Sequence, residues 1–487
     1  MGKTPPIEPK SAPKPVVVEV PPELRVESRA GRAPDPLTLE QAMALLAGRM
    51  DVERLAPAQI PPATLRLDRM RAIVQALGHP EREFKSVHVA GSKGKGSTCE
   101  MVAAALTGCG YATGLYTSPH LINVRERIRL GSSPISEGDF LASIRKVAAV
   151  LPSIEKKHGP ATFFEINTAV AFVYFAAQAV DVAVIEVGLG GRLDSTNVIT
   201  PEVAAITAIQ LEHTAILGDT LAAIAGEKAG IFKAGVKAIT IDQPPEVLEV
   251  FTQAAASVGC PFQVVGREIE FTHRFERATT GGPSYVVCLS TPRSNFEHFP
   301  VPLMGEHQAL NCGLALGILD ALRERDMDKI TDRGVAAGLA RTPSIGRIEE
   351  ICRAPRIVAD GAHTPDSIRA LLRAIGTHLK YDNLIVVFGC AADKDVGAMV
   401  AKLAAGADKV IFTKATDNAR AMEPRELQRR FAEASGKMTQ TAPTLKEAIN
   451  LAARAAGRED LICVTGSFYV AGEAKKLLAE RATQTNA

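Results

Sequence analysis

From residue 85 onward, short β-branched apolar runs alternate with longer Ala/Leu-rich stretches. KSVHVA, VDVAVIEVG, VAAITAI and VKAITID are apolar on both faces, the pattern of strands in a parallel sheet covered by helices. Between them, STCEMVAAALTGCG and INTAVAFVYFAAQA predict helices. The stretch 266–300 has the pattern of antiparallel hairpins. After Arg341-Thr-Pro-Ser344 the strand–helix rhythm restarts with RIVADGAH, LIVVFG, KVIFTKA and LICVTG, which predicts a second, smaller α/β domain. Order is expected to begin at Thr38-Leu-Glu-Gln41, the spacing of a capping box. The expected division is a tail over 1–36, a larger domain over 37–343 and a smaller one over 344–487, with no fixed-period repeat. The tail carries nine of the thirty prolines, which resist helix and supply no amide hydrogen, so it is expected to be flexible.

Composition narrows the class. The 487 residues are 46% apolar, enough for two or three sizeable cores, and the net charge is only +2 with both signs interspersed. That balance argues against a nucleic-acid partner or an acidic membrane surface. The eight cysteines are scattered without a C-x-x-C pair, as buried thiols in a reducing compartment are. No apolar run approaches the roughly 18 residues of a membrane span. A soluble, cytoplasmic protein is expected.

The candidate chemistry lies at strand ends. In VHVAGSKGKGSTCEMVAAAL the usual phosphate-loop pattern fits in neither register, because Val89 stands at the first Gly or Ser97 at the Lys. A Gly-rich strand-to-helix turn is still an anion site, since the first helical amides are unsatisfied and Lys95 can reach outer phosphates. Ser97 and Glu100 have capping-box spacing. Thr117-Ser-Pro-His-Leu121 on its own is an ordinary turn. In Val184–Asn197 an acid, Glu186, ends a strand ahead of a Gly-rich bend carrying Arg192 and Asp194, where a magnesium-nucleotide enzyme needs a hard oxygen ligand. Glu212-His213 follows another strand, but magnesium prefers oxygen to imidazole, so chemistry alone does not nominate His213. Glu227-Lys228 in IAGEKAGIFK has the look of a solvated ion pair. Asp360-Gly-Ala-His363 and Phe388–Asp395 place polar groups at strand ends that would face an interdomain cleft.

In their order and spacing these segments resemble the folylpolyglutamate synthase/dihydrofolate synthase family, a branch of the Mur-type ATP-dependent amide ligases. The resemblance rests on GSKGKGST, TSPHL, TFFE, EVGLGGRLDSTNV, LEHT, GEKAGIFK, GEHQALN, GRIE, DGAHTPDS and FGCAADKD, and runs from about Leu39 to the last helix. It implies a Mur-ligase-like P-loop ATPase domain with a parallel sheet, followed by a smaller Rossmann-like α/β domain. It also implies ligation of L-glutamate to dihydropteroate or a reduced folate through an acyl phosphate, by a cytoplasmic monomer. Gly91, Ser92, Gly94, Lys95, Gly96 and Ser97 would cradle ATP, with Asn311, Arg347 and Asp360 also on the nucleotide. Ser118, Glu186 and His213 would bind magnesium, and a carbamylated Lys228 would ligate a second magnesium ion, with room for a monovalent cation. Phe164, Arg192 and Asp194 would lie near the pterin, and His363 and Ser467 near the incoming glutamate. Lys95, Lys228 and His363 are the catalytic candidates, and the base for the amine is left open among His363, Asp360 and carbamylated Lys228. Lys93, at a position often Asn in the family, has no implied role. Thr364 replaces the commoner Asn of DGAHN. A Mur ligase for peptidoglycan precursors and a nucleotide-switch protein are the rival readings.

Overall fold

In the computed structural model of the chain, residues 38–485 are described except 53–54, 56–60, 62–63, 278–281, 417 and 419. The tail expected over 1–36 lies outside the described residues. The predicted capping box at Thr38 is present, with Gln41 N donating to the Thr38 hydroxyl and Thr38 N to the Gln41 side chain. Residues Thr38–Ala487 form one compact unit.

The runs that are apolar on both faces form the centre of an eight-stranded sheet. Its strands are β1 (Lys85–Ala90), β2 (Thr113–Tyr116), β3 (Ile128–Leu130), β4 (Ser133–Pro134), β5 (Val182–Glu186), β6 (Val203–Ile206), β7 (Lys237–Ile241) and β8 (Phe262–Val265), in the order β4-β3-β2-β5-β1-β6-β7-β8. All neighbours are parallel except β2–β3 and β3–β4. Every residue of β5 is buried, which is why no polar alternation is visible in VAVIE. Helices Lys95–Gly108 and Glu306–Arg323 pack on one face around Val87, Val89 and Leu316. As predicted, residues 266–300 form an antiparallel sheet, β9 (Glu270–Arg277), β10 (Pro283–Ser290) and β11 (Asn295–Pro300).

The third sheet contains β12 (Glu349–Arg353), β13 (Arg356–Ala359), β14 (Leu384–Phe388), β15 (Lys409–Phe412), β16 (Gln440–Thr441) and β17 (Leu461–Thr465). The order is β12-β13-β17-β14-β15-β16, parallel apart from β12–β13. Each large sheet has a centre of three adjacent strands whose carboxyl ends release loops side by side. In the first sheet these are β5, β1 and β6, where strand order reverses. In the third they are β13, β17 and β14. Such points in open α/β sheets are where ligands bind.

Candidate active site

The loop after β1 is shaped by contacts that exclude side chains. Gly91 has φ +142°, and a Cβ there would stand 1.8 Å from Thr207 Oγ1. Gly94, at φ +96°, would collide with Asn311 Oδ1 at 2.2 Å, and Gly96 with Arg347 Nη2 at 2.4 Å. Asn311 and Arg347 therefore close directly over the loop, 217 and 251 residues further along the chain from those glycines. Helix Lys95–Gly108 begins at Gly94 with no side-chain cap. The capping box expected from Ser97 and Glu100 is absent, because Gly94 ends the loop three residues earlier and Glu100 instead pairs with Arg129. The first helical turn thus presents its amides to the cavity without a side-chain oxygen on them. Ser92 Oγ donates to Gln210 O at 3.0 Å, which ties the loop to the end of β6.

Glu186, at the end of β5, is 4% exposed, and its Oε2 accepts from Ser118 N at 3.0 Å. A carboxylate and a hydroxyl-bearing residue are so held side by side. The glycines that follow are packing glycines. A Cβ on Gly188 would meet Phe164 Cζ at 2.5 Å, and one on Gly191 would meet Glu227 O at 2.8 Å and Lys228 O at 2.9 Å. The bend therefore seats the Phe164 ring on one side and helix Leu221–Ala229 on the other. That helix does not carry a solvated ion pair. Lys228 is 2% exposed and donates to Gly91 O at 2.8 Å, while Glu227 pairs with Arg192 at 2.8 Å. Burial, reinforced by Lys95, lowers the Lys228 ammonium to about 8.

One carboxylate organises three lysines. Glu212 stands 3.5 Å from Lys228 Nζ and 3.4 Å from Lys93 Nζ. Burial alone would raise its carboxyl, but Lys95, Lys228 and Lys93 hold it at about 2. Lys95 Nζ donates to Gly91 O at 3.0 Å, so a single carbonyl serves two of these lysines. His213 is exposed on the cavity wall, and its backbone caps the short helix Thr214–Leu217 at φ +50°.

Opposite stand the loops of the third sheet. Asp360 accepts from Ile348 N at 3.0 Å and Ala362 N at 2.8 Å, and burial raises its carboxyl to about 6. His363 is held by Gly361 O at 2.7 Å from Nδ1, and its Nε2 lies 3.5 Å from Lys93 Nζ. Burial and then Lys93 pull His363 down to about 3, so the ring is neutral with the proton on Nδ1. Ser467 Oγ donates to Gly389 O at 3.3 Å and accepts from Val470 N at 3.2 Å.

Loops from both large sheets line one cavity of about 770 Å³. Ser92, Gly94, Lys95, Gly96, Ser97, Ser118, Phe164, Glu186, Asp194, His213, Asn311, Arg347, Asp360, His363 and Ser467 all face it. Gly91 and Lys228 sit just behind the wall. Arg192 is the residue that the structure does not bring in. Its side chain is 56% exposed and is spent on Glu227. The Asp194 carboxylate accepts from Leu189 N and from the Thr196 amide and hydroxyl, and Thr196 Oγ1 lies 2.8 Å from Nε2 of the fully buried His88. Sequence reasoning passed over Glu212 and Lys93 as site residues, and His88 behind the cavity. A polar residue inside the apolar run KSVHVA was the one available signal for His88. Among the described residues no three His, Cys, Asp or Glu side chains gather as a metal cluster. The magnesium donors that the family resemblance implies include a serine and a lysine. No helix among the described residues is long and apolar enough to cross a membrane.

Residues 89–319 match the Mur ligase middle domain, and 346–468 match the Mur ligase, glutamate ligase domain. The chain is 33% identical to a dihydrofolate synthase/folylpolyglutamate synthase of Bacillus subtilis, over 85% of this chain and 94% of that one. It is 35% identical to the Mycobacterium tuberculosis protein of the same description, over 89% and 94%. Folylpolyglutamate synthase of M. tuberculosis complexed with ADP superposes with a TM-score of 0.80 at 34% identity, covering 90% of this chain and 98% of that one. E. coli FolC in complex with DHPP and ADP gives 0.76 at 26% identity, over 91% and 98%. With its two matched domains, its fold and this cavity, the chain belongs to the folylpolyglutamate synthase/dihydrofolate synthase family of Mur-type ligases.

Proposed function

We propose that this protein joins L-glutamate to the carboxylate of a pterin acid at the expense of ATP, and accepts both dihydropteroate and reduced folate. The observation that carries this reading is the joint wall of the cavity, with a phosphate loop and an aromatic slot on one side and the β13, β17 and β14 loops on the other. In this reading residues 37–343 hold nucleotide and pterin, and 344–487 bring the amino acid. In this reading the protein acts as a monomer, and the free thiols suit the cytoplasm.

A carboxylate is a poor acyl donor, so ATP phosphorylates it first. Phosphoryl transfer needs positioning and charge neutralisation more than covalent help. The capless helix start and Gly91, Gly94 and Gly96 admit the phosphates, Lys95 leaves Gly91 O for the outer ones, and Arg347 lies over the loop. Asn311 and Asp360 complete the nucleotide wall. Ser118 and Glu186 offer hard oxygens that fit magnesium, His213 lines the same cavity, and Lys228 would add an oxygen once carbamylated. Magnesium held there would neutralise charge on the transferring group. The lowered ammonium of Lys228 supports carbamylation, which requires the neutral amine. Phe164 stacks the pterin near Asp194, and the α-amine of glutamate attacks the acyl phosphate as phosphate leaves. Neutral His363 turns an acceptor nitrogen toward that amine, and Ser467 supports the same loop wall. Contact between the two loop sets excludes water from the acyl phosphate.

The test is phosphate release with Mg-ATP and L-glutamate, comparing dihydropteroate, tetrahydrofolate and no acceptor, with Lys95→Ala alongside. Turnover with both acceptors, lost in the variant, is expected. Release that is indifferent to acceptor and glutamate would return the nucleotide switch to first place.

A further inference from the structure

Two lysines of the phosphate loop part company. Lys95 folds back, its Nζ 3.0 Å from Gly91 O. Lys93 is anchored by its own amide, which donates to Ala208 O at 3.1 Å, and its side chain points across the cavity between Glu212 and the opposite wall. There its Nζ lies 3.4 Å from Glu212 Oε2 and 3.5 Å from His363 Nε2. An ammonium carries three donors and prefers acceptors at about 2.7–3.2 Å, so both partners are distant ones. Lys228, by contrast, already donates at 2.8 Å.

The charge count around Lys93 is lopsided. Glu212 is paired with Lys93 and Lys228 and also feels Lys95, and Lys394, 3.9 Å from Asp393, adds positive charge from the β14 loop. The neighbouring acids are engaged elsewhere, Glu186 by Ser118 N and Asp360 by Ile348 N and Ala362 N. An anionic ligand would complete this wall. Phosphate is the wrong anion for Lys93, because Arg347 stands on the phosphate side at Gly96 while Lys93 leans toward His363.

We propose that Lys93 binds a carboxylate of the incoming amino acid, exchanging its distant contact with Glu212 for that ligand and leaving Glu212 with Lys228. This rests on the ligase reading above. Lys93 would then act in the second half-reaction only, although it is part of the phosphate loop.

The test separates the halves. Acyl phosphate formed from ATP and pterin acid without glutamate is trapped by hydroxylamine as a hydroxamate, and full turnover is followed as amide. In Lys93→Met the KM for L-glutamate should rise about thirtyfold, the scale of one lost charge-assisted hydrogen bond, while hydroxamate yield and the KM for ATP stay within about threefold. Lys93→Arg should recover most of the loss, and thermal melting checks that both variants fold. Comparing L-glutamine and glutamic acid α-amide as acceptors identifies the carboxylate, because Lys93→Met should erase discrimination against only one of them. A raised KM for ATP or a lost hydroxamate signal with the glutamate KM unchanged would overturn the assignment and give Lys93 to the nucleotide. If the wild-type protein forms no hydroxamate, the ligase reading itself fails and the assignment falls with it.

Discussion

The Gly91 carbonyl receives both Lys95 and Lys228, so one backbone oxygen sets where two of the site's cations rest. A methyl group at Gly91 would overlap Thr207 in a backbone conformation that L side chains rarely adopt. Gly91→Ala is expected to cost on the order of 2 kcal/mol of stability, read as a lower urea midpoint, and to abolish ATP-dependent amide formation. A titration acts at the same scale behind the cavity. His88 is fully buried in β1, and burial lowers it to about 3 from an ordinary 6.5. Its folded pKa is depressed, so the unfolded chain binds the proton first as pH falls. Stability is intact above pH 6.5 and declines toward pH 3. At pH 5 the loss from this group alone is about 2 kcal/mol. His88→Gln keeps a donor for Thr196 without a titrating ring, so the difference in urea stability between pH 7.5 and pH 5 should shrink by about that amount. An unchanged difference would mean His88 is not the group. KSVHVA shows a polar residue in an apolar run but not its contact, because Thr196 lies more than a hundred residues away. Glu212 escaped for the same reason, since its three lysines come from two separate segments.

Elements were more legible than the contacts between them. The strands of both parallel sheets follow from β-branched runs, since burial on both faces leaves its mark in composition. The start of helix Lys95–Gly108 did not follow, because Ser97 and Glu100 match a local cap while Gly94 and the Arg129–Glu100 pair decide the boundary from tertiary contacts. The Gly-rich bend after Glu186 did not show its packing role in sequence, whereas in the fold Gly188 and Gly191 bring Phe164 and helix Leu221–Ala229 against the strand end. That helix aims Lys228 at Gly91, so its distance from the bend is a functional coordinate. Gly191→Ala imposes no backbone strain but pushes on Glu227 O and Lys228 O. We expect kcat to fall by about tenfold to a hundredfold, the penalty of a displacement near 1 Å, with a melting temperature only slightly lowered. Equal losses of activity and stability would make Gly191 an ordinary packing residue.

The whole molecule works as two sets of loops held face to face, and what holds them apart or together is small. Arg347 crosses to Gly96, Lys93 reaches His363, and Gly472 of helix Phe468–Thr485 lies so close to Leu121 that a Cβ would stand 2.1 Å from its carbonyl oxygen. Leu121 belongs to the segment carrying Ser118, so this glycine sets how nearly the last helix approaches the Ser118 side of the cavity. Gly472→Val should wedge that contact open, and because Val470 and Ala474 of the same helix belong to a core of the third sheet, a melting curve runs alongside to show that this sheet is kept. The consequence is specific to an acyl phosphate chemistry. Phosphorylation of the pterin acid uses the phosphate loop and continues, but water now competes with glutamate for the intermediate. The ratio of phosphate released to amide formed, expected to be close to one in the wild-type protein, should rise several-fold in the variant and fall back as glutamate is raised. A ratio that stays at one with kcat unchanged would mean that the Gly472 contact does not guard the intermediate. A ratio of one with kcat reduced would instead place the fault in phosphorylation, moving the role of this contact from water exclusion to nucleotide alignment.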